Sequence, residues 1–440
     1  MPYAAVAKFL SANLQAGHRR LAVACSGGMD SVCLLDLLVS LQPLHGCSLH
    51  VMHVHHGLNP HADEWAERVV RLAEHYRLPH HILRVRIESG GSLEEAARTA
   101  RYQAIGRLLQ PGDVLLTGHH RQDQAETVLL QLFRGSGAAG LAAMRPVSRI
   151  PFGSPEIPLW RPLLEVPRAA LLAYAEQQAL NWVEDDSNAD VRHTRNFLRR
   201  QVMPLLEQRW PQADRLLAGT AERMQEADRL MTDLAELDWR SAADADNTLS
   251  IPMMLTLSQP RQANLLRFWI RRAGFDVPDR EGLKRLINEV CQARPDGAPL
   301  FVWRQLEIRR YRERLFLLTA TDTKVMDRQP LPWLDRMQPF RLPDGRILTP
   351  CVGNRAGVSL QAWRNVPQLQ IRFRQGGERM CLPGRGRKEL KALFQEAGIP
   401  PWQRERWPLI YGDEKLILVP GLWVDAEVAG KTGEERVWIT

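Results

Sequence analysis

Three short stretches of this 440-residue chain carry residue types that could bind and cleave a phosphate anhydride. In the first, Ser26-Gly27-Gly28-Met29-Asp30-Ser31, two glycines let the backbone approach a ligand closely, and unpaired N–H groups at a helix start attract an anion. Asp30 adds a carboxylate where a bound phosphate chain needs its metal ion held. The second stretch is His53-Val54-His55-His56-Gly57. Imidazoles often ligate metals, but strand alternation puts His53 and His55 on one face and His56 on the other, and no cysteine or spaced carboxylate completes a zinc set. The backbone amides here suit an adenine edge better, with a histidine near the phosphates or ribose. In the third stretch, His119-His120-Arg121-Gln122-Asp123-Gln124-Ala125-Glu126, the two acids are three apart and share a helical face. First-turn acidity explains Glu126 comfortably; His119, His120 and Asp123 arriving together could hold a metal, orient an amine or accept a proton. The same helix ends in Arg134-Gly135-Ser136-Gly137, where Arg134 suits a C-cap as well as a ligand contact.

Alternating strands and helices must position these groups. Leu21–Cys25 is short and wholly apolar, as a strand covered on both faces should be, and Leu34, Leu35, Leu37, Leu38 and Leu41 then recur at helical spacing. SLHVMHVHHG, a polar helical stretch from Ala62 to Tyr76, HHILRVRI, a helix from Ser92 to Leu109 opened by a capping box of Ser92 and Glu95, and DVLLTGHH follow. This order predicts an α/β fold with a doubly wound parallel sheet, whose ligands lie at the carboxyl ends of the strands. All three chemical stretches fall at such ends.

Arg192, Arg195, Arg199 and Arg200 recur near helical spacing, a pattern that fits phosphate neutralisation and a salt-bridged surface helix equally. After residue 211 the chain reads as mostly helical, closing with the paired strands of LFVWRQLEIRRYRERLFLL and a linker from Asp322 to Pro332. Between Arg372 and Arg406 nine basic residues stand against four acidic ones, with Phe394, Trp402 and Trp407 interleaved. That mixture suits an RNA backbone with stacked bases, and a buried aromatic core with snorkelling arginines would look similar. The predicted domains are 1–210 (catalytic, doubly wound), 211–321 (mainly helical) and 335–440 (small α+β).

The net charge of +8 and pI of about 9.4 permit a polyanionic partner. Six cysteines without a CxxC pair argue against disulfides, zinc ribbons and iron–sulfur clusters and suit a reducing cytoplasm. No basic-then-apolar leader opens the sequence and no apolar run is long enough for a bilayer, so no membrane partner is expected.

SGGMDS matches the SGGxDS signature of the PP-loop ATP pyrophosphatases at every fixed position, while the Walker A lysine and the third glycine of GxGxxG are missing. HVHHGL, SLEEAARTARYQA, HHRQDQAET with RGSG, RPLL at 161–164, and WVEDDSN followed by RNFLR then appear in the order seen in bacterial tRNA(Ile)-lysidine synthetases. The chain resembles that family densely over its first half, and LEIRRYRERLFLL and PGRGRKELKALFQEAGIPPWQRERWPLIY look like the C-terminal parts of its longer members.

The resemblance implies ATP held by Ser26, Gly27, Gly28, Met29, Asp30 and Ser31 with His53 and His55, Mg²⁺ on Asp30, and catalysis by Asp30, Arg101, Asp123 and Glu126. It also implies tRNA or phosphate contacts at Arg134, Arg195, Arg199, Arg385, Arg387 and Lys388. The implied reaction joins L-lysine to the wobble cytidine of tRNA(Ile) with a CAU anticodon through an adenylated base; a homodimer is compatible with it. One position departs from the family wording HxDDQxET: Gln122 replaces the first Asp, so the weight falls on Asp123. The rival within the superfamily is a tRNA thiolation enzyme; a non-catalytic RNA-binding adaptor and a small-molecule amidotransferase are further alternatives.

Overall fold

A computed structural model describes residues 2–15, 17–57, 59–87, 93–150, 157–184, 190–244, 246–294, 297–323, 326–327 and 329–440. The chain forms two compact units, Met1–Thr232 and Asp233–Thr440.

In the first unit, α1 (Pro2–Asn13) precedes β1 (Arg20–Ala24), α2 (Met29–His45), β2 (Ser48–His55), α3 (Ala62–His75), β3 (His80–Arg84), α4 (Leu93–Gly106) and β4 (Asp113–Thr117). There follow α5 (Arg121–Phe133), α6 (Ala138–Leu141), β5 (Val147–Arg149), β6 (Pro158–Trp160) and α7 (Arg168–Gln177). The sheet order is β3-β2-β1-β4-β6-β5, parallel except for the antiparallel edge strand β5. Both faces are covered, as the apolar strands require: Leu21 and Val23 pack with α1, α2 and α7, while Ala22 meets Tyr102 and Ile105 of α4 on the other side. Strand order reverses between β1 and β4, which lie side by side in register from Arg20↔Asp113 to Ala24↔Thr117. The crossovers diverge to opposite faces there, the arrangement that in open parallel sheets places the ligand crevice at the strands' carboxyl ends.

The expected helix after the glycine turn extends past Leu41 and through Pro43 to His45, where Gly46 at φ +64° ends it in the left-handed conformation. Ser92 lies outside the described residues, as does the DDSN part of WVEDDSN.

The chain then runs through α8 (Thr194–Phe197), a π-turn at Leu198–Val202, α9 (Met203–Arg209) and α10 (Ala213–Ala242), inside which the division into units falls. In the second unit, β7 (Leu249–Ser250), α11 (Ile251–Leu255), α12 (Gln259–Arg272), α13 (Arg280–Arg285), β8 (Leu300–Trp303), β9 (Leu306–Tyr311) and β10 (Arg314–Thr319) share one core. The strands form an antiparallel sheet, β7-β10-β9-β8. The remaining sheets are antiparallel too; the largest has five short strands, and its first, Leu331–Pro332, lies at the end of the segment expected to be a linker. No helix among the described residues is long and apolar enough to cross a membrane.

Candidate active site at the sheet crevice

The glycine turn leaves β1 and enters α2 as its sequence requires. Gly27 sits at φ +87°, a conformation that side chains with a Cβ adopt at a cost, and its carbonyl accepts a hydrogen bond from Val183 N–H (2.9 Å). The Ser31 hydroxyl ties the turn together, accepting from Ser26 N–H (3.2 Å) and donating to the Gly28 carbonyl (2.9 Å). Met29 points into the hydrophobic core, so it serves the turn through its backbone alone.

Across the crevice, the loop after β4 comes so close that a Cβ at Gly118 would lie 2.8 Å from the Asp30 carbonyl oxygen. Only glycine fits there, a residue that sequence reasoning passed over although it stands directly before the two histidines. Gly118→Ala is therefore expected to destabilise the fold by about 1–3 kcal/mol and to depress ATP cleavage. Urea unfolding and pyrophosphate release measure the two effects.

That close approach brings three groups together. His120 is buried, with Nε2 3.5 Å from Asp30 Oδ2 and 3.4 Å from Asp123 Oδ2. Its backbone N–H donates to Asp123 Oδ2 (3.0 Å), so Asp123 caps its own helix. Burial works against charging this imidazole, but Asp30 and Asp123 outweigh it and raise the His120 pKa above the ordinary value. His119, hydrogen-bonded through Nδ1 to Thr117 (2.8 Å), is pushed down to about 3 by burial and by nearby arginines, against the pull of Asp123.

The acids of α5 do share a face, as their spacing predicts. Their partners come from the segment after β6. Arg199 donates through Nε to Glu126 Oε1 (2.7 Å) and through Nη2 to Asp123 Oδ1 (2.8 Å); Arg195 Nε donates to Glu126 Oε2 (3.0 Å). Glu126 is 0% exposed. A buried carboxylate must be paired, and here two guanidiniums pair it. Arg195 and Arg199 thus meet the carboxylates directly; at the same time Arg192 forms a surface pair with Asp190 (2.8 Å).

Burial alone would raise the Asp123 pKa, yet His120, Arg195, His119 and Arg199 overcome it and hold the carboxyl down at about 2. A carboxylate depressed on folding stabilises the fold above its unfolded pKa and loses that contribution as pH falls through the folded one. The stability difference between the parent and Asp123→Asn is expected to shrink by about 2 kcal/mol between pH 6 and pH 2, followed by urea unfolding. His120 has the opposite sign: its stabilising charge is present in acid and lost as pH rises through its folded value.

The remaining expected residues surround this cluster unevenly. His53 Nδ1–H donates to the Cys25 carbonyl (2.9 Å), which fixes its tautomer, while burial lowers its pKa. His55 Nε2 lies 3.2 Å from Asp63 on α3. Arg101 contacts His56 Nε2 (3.4 Å), and burial together with this arginine takes His56 down to about 4. Arg134 is the exposed C-cap of α5, two turns beyond Glu126.

Arg385 and Lys388, in the second unit, both pair with Glu396 (2.6 and 2.9 Å), and Arg387 is exposed on the same hairpin. Of the interleaved rings, Phe394 is fully buried with Trp407 packed against it, and Trp402 meets Phe316 edge-on (5.3 Å). Phe394 belongs to the core and does not offer a stacking face to an RNA base, while Trp407 is half-buried against it.

No group of three or more metal-ligating side chains occurs among the described residues. Asp30 Oδ1 is buried without a hydrogen-bond partner, an orphaned acceptor whose chemistry fits a cation carried by a phosphate chain. The thiols offer no nucleophile in this unit: burial raises Cys25, Cys47 and Cys33, the last to about 12.

A glycine turn closed by a serine, with a carboxylate at its helix end and an ionic cluster opposite, defines an ATP-using enzyme of the PP-loop class, and residues 3–206 match the family model described as PP-loop domain. Residues 249–316 match the TilS substrate binding domain and 369–439 the TilS substrate C-terminal domain. The tRNA(Ile)-lysidine synthase of Pectobacterium atrosepticum is 42% identical over 94% of this chain and 92% of that protein; the one from Xylella fastidiosa Temecula1 is 44% identical over 90% and 89%. The chain belongs to the tRNA(Ile)-lysidine synthase family. Among solved structures, the U34-tRNA thiolase NcsA from Methanococcus maripaludis superimposes with a TM-score of 0.43 at 18% identity, over 51% of this chain and 78% of that one.

Proposed function

We propose that this protein ligates L-lysine to C2 of the wobble cytidine of tRNA(Ile) bearing a CAU anticodon, splitting ATP to AMP and pyrophosphate and so turning AUG decoding into AUA decoding. Family membership over nearly the whole chain supports the reaction, and the Asp30–His120–Asp123 cluster beside the glycine turn is the observation that carries the site. In this reading the turn from Ser26 to Ser31 holds the ATP phosphates on backbone N–H groups, and His53 and His55 border the nucleotide. Asp30 would hold Mg²⁺, which when bound offsets charge on the departing pyrophosphate.

The cytidine O2 attacks the α-phosphorus, and the lysine ε-amine then displaces AMP at C2. Asp123 and Glu126 orient the amine. A carboxyl at about 2 is a poor proton acceptor at neutral pH, so Asp123 contributes charge and direction more than basicity. Arg101, Arg195 and Arg199 steady phosphate charge.

On this reading residues 1–210 are catalytic, while 211–321 and 335–440 hold the tRNA, with Arg134, Arg385, Arg387 and Lys388 on its backbone. The cytoplasm as location and a homodimer belong to the same proposal; sedimentation of the purified chain tests the latter.

The experiment incubates the protein with ATP, Mg²⁺, labelled lysine and unmodified tRNA(Ile) with CAU, taking the methionine tRNA as control. Label retained on the isoleucine tRNA alone is the expected result. ATP cleavage with RNA but without lysine attachment would overturn the choice of nucleophile.

A further inference from the structure

Several cations on the first part of the second unit already have an anion. Arg261 pairs with Asp238, Lys284 with Glu281 (2.7 Å), Arg285 with Glu289 (3.1 Å), Arg309 with Glu307 (2.9 Å) and Arg314 with Asp244. Arg267, Arg271 and Arg280 do not: among the described residues none of the three has a carboxylate within 4.0 Å.

These three converge. Arg267 and Arg271 stand one turn apart on a single face of α12. Arg280 is the first residue of α13, whose Leu283 packs in the same core as Leu266 and Ile270 of α12. Arg271 and Arg280 are exposed, and Arg267 is half-buried. Burial, and then the charges of Arg271 and Arg280, lower the Arg267 pKa. Like charges held together without a counter-ion cost free energy, and a phosphate oxygen pair is the ligand that guanidinium forks match best.

We propose that Arg267, Arg271 and Arg280 form a phosphate-binding site for the sugar-phosphate backbone of the RNA substrate. The site rests on the RNA-modifying function proposed above and gives the segment that matches the substrate binding domain a specific set of phosphate ligands. Guanidiniums alone read no bases, so the site fixes register and affinity, and the anticodon is recognised elsewhere.

The test measures binding of unmodified tRNA(Ile) to the full chain by fluorescence anisotropy across a salt series. It compares the parent, the triple variant R267Q/R271Q/R280Q, the single variants R271Q and R280Q, and K284Q, which alters a paired cation on α13. Each single variant, changing an exposed side chain, is expected to lower the slope of log K against log salt by about 0.7–0.9 for each phosphate it leaves without a cation. The triple variant is expected to lower it by about two and to weaken binding on the order of 10- to 100-fold at fixed salt, with K284Q unchanged. Parent-like affinity and slope in both single variants would overturn the proposal, whether or not the triple variant folds. So would unchanged tRNA binding accompanied by lost affinity for inorganic phosphate, which would mark a free-anion site. Lysine incorporation at saturating tRNA is read in parallel. If the parent incorporated none, the functional reading would fail while the salt slopes still reported on the arginine site.

Discussion

Asp30→Asn is expected to reduce tRNA-dependent pyrophosphate release by about 10²–10³-fold or more, with the fold intact. The substitution keeps the shape of the side chain and removes its charge. Oδ1 of Asp30 is buried and unpartnered, and Oδ2 faces His120 at 3.5 Å. The pair with His120 accounts for Oδ2, but among the described residues nothing accounts for the buried Oδ1. Relieving an uncompensated acceptor should leave the unfolding midpoint near that of the parent. The loss should therefore appear in kcat for ATP cleavage and not in the amount of folded protein. His120 would also lose one of its two carboxylates, so its pKa, followed by NMR of the imidazole, should fall toward the ordinary value. Undiminished pyrophosphate release by this variant would remove Asp30 from the chemistry.

Glu126→Ala is expected to act first on stability, by about 3–5 kcal/mol. Its carboxylate is fully buried and takes three hydrogen bonds from Arg195 and Arg199 at 2.7–3.0 Å. Removing it takes a buried carboxylate away from both guanidiniums, which still share Asp123. Such a loss is larger than a surface ion pair can produce, typically under about 1 kcal/mol. The Arg192–Asp190 pair provides the comparison, since Arg192→Ala should scarcely move the urea midpoint. A double-mutant cycle with Arg199→Ala should show strong coupling, because the second change removes one of the charges stranded by the first. An unchanged midpoint in Glu126→Ala would mean that the cluster is screened by solvent and does not join α5 to the segment after β6.

The parts of this protein legible in its sequence are those decided over a few residues. Apolar runs marked out β1 to β4, glycine and serine marked the turn at Ser26–Ser31, and the three-residue spacing of Asp123 and Glu126 put them on one face. Each follows from periodicity or turn chemistry, which neighbours along the chain settle between themselves. The order of strands and helices even predicted which ends would meet at the crevice.

What tertiary structure alone decided is which group faces which across long separations. Arg195 and Arg199 find Glu126 and Asp123 from 69 to 76 residues away. Sequence spacing left these arginines evenly divided between a salt-bridged surface and a phosphate site. Gly118 reads as an ordinary loop glycine until the Asp30 backbone lies against it. Met29, inside the glycine turn, and Phe394, inside the basic stretch, turn inward to the core. The same holds for Arg267, Arg271 and Arg280, whose lack of a carboxylate partner among the described residues shows only in the packed chain. Local patterns fix where a residue stands along its own element; charge pairing and burial depend on what other elements bring within a few ångströms, and only the packed chain determines that.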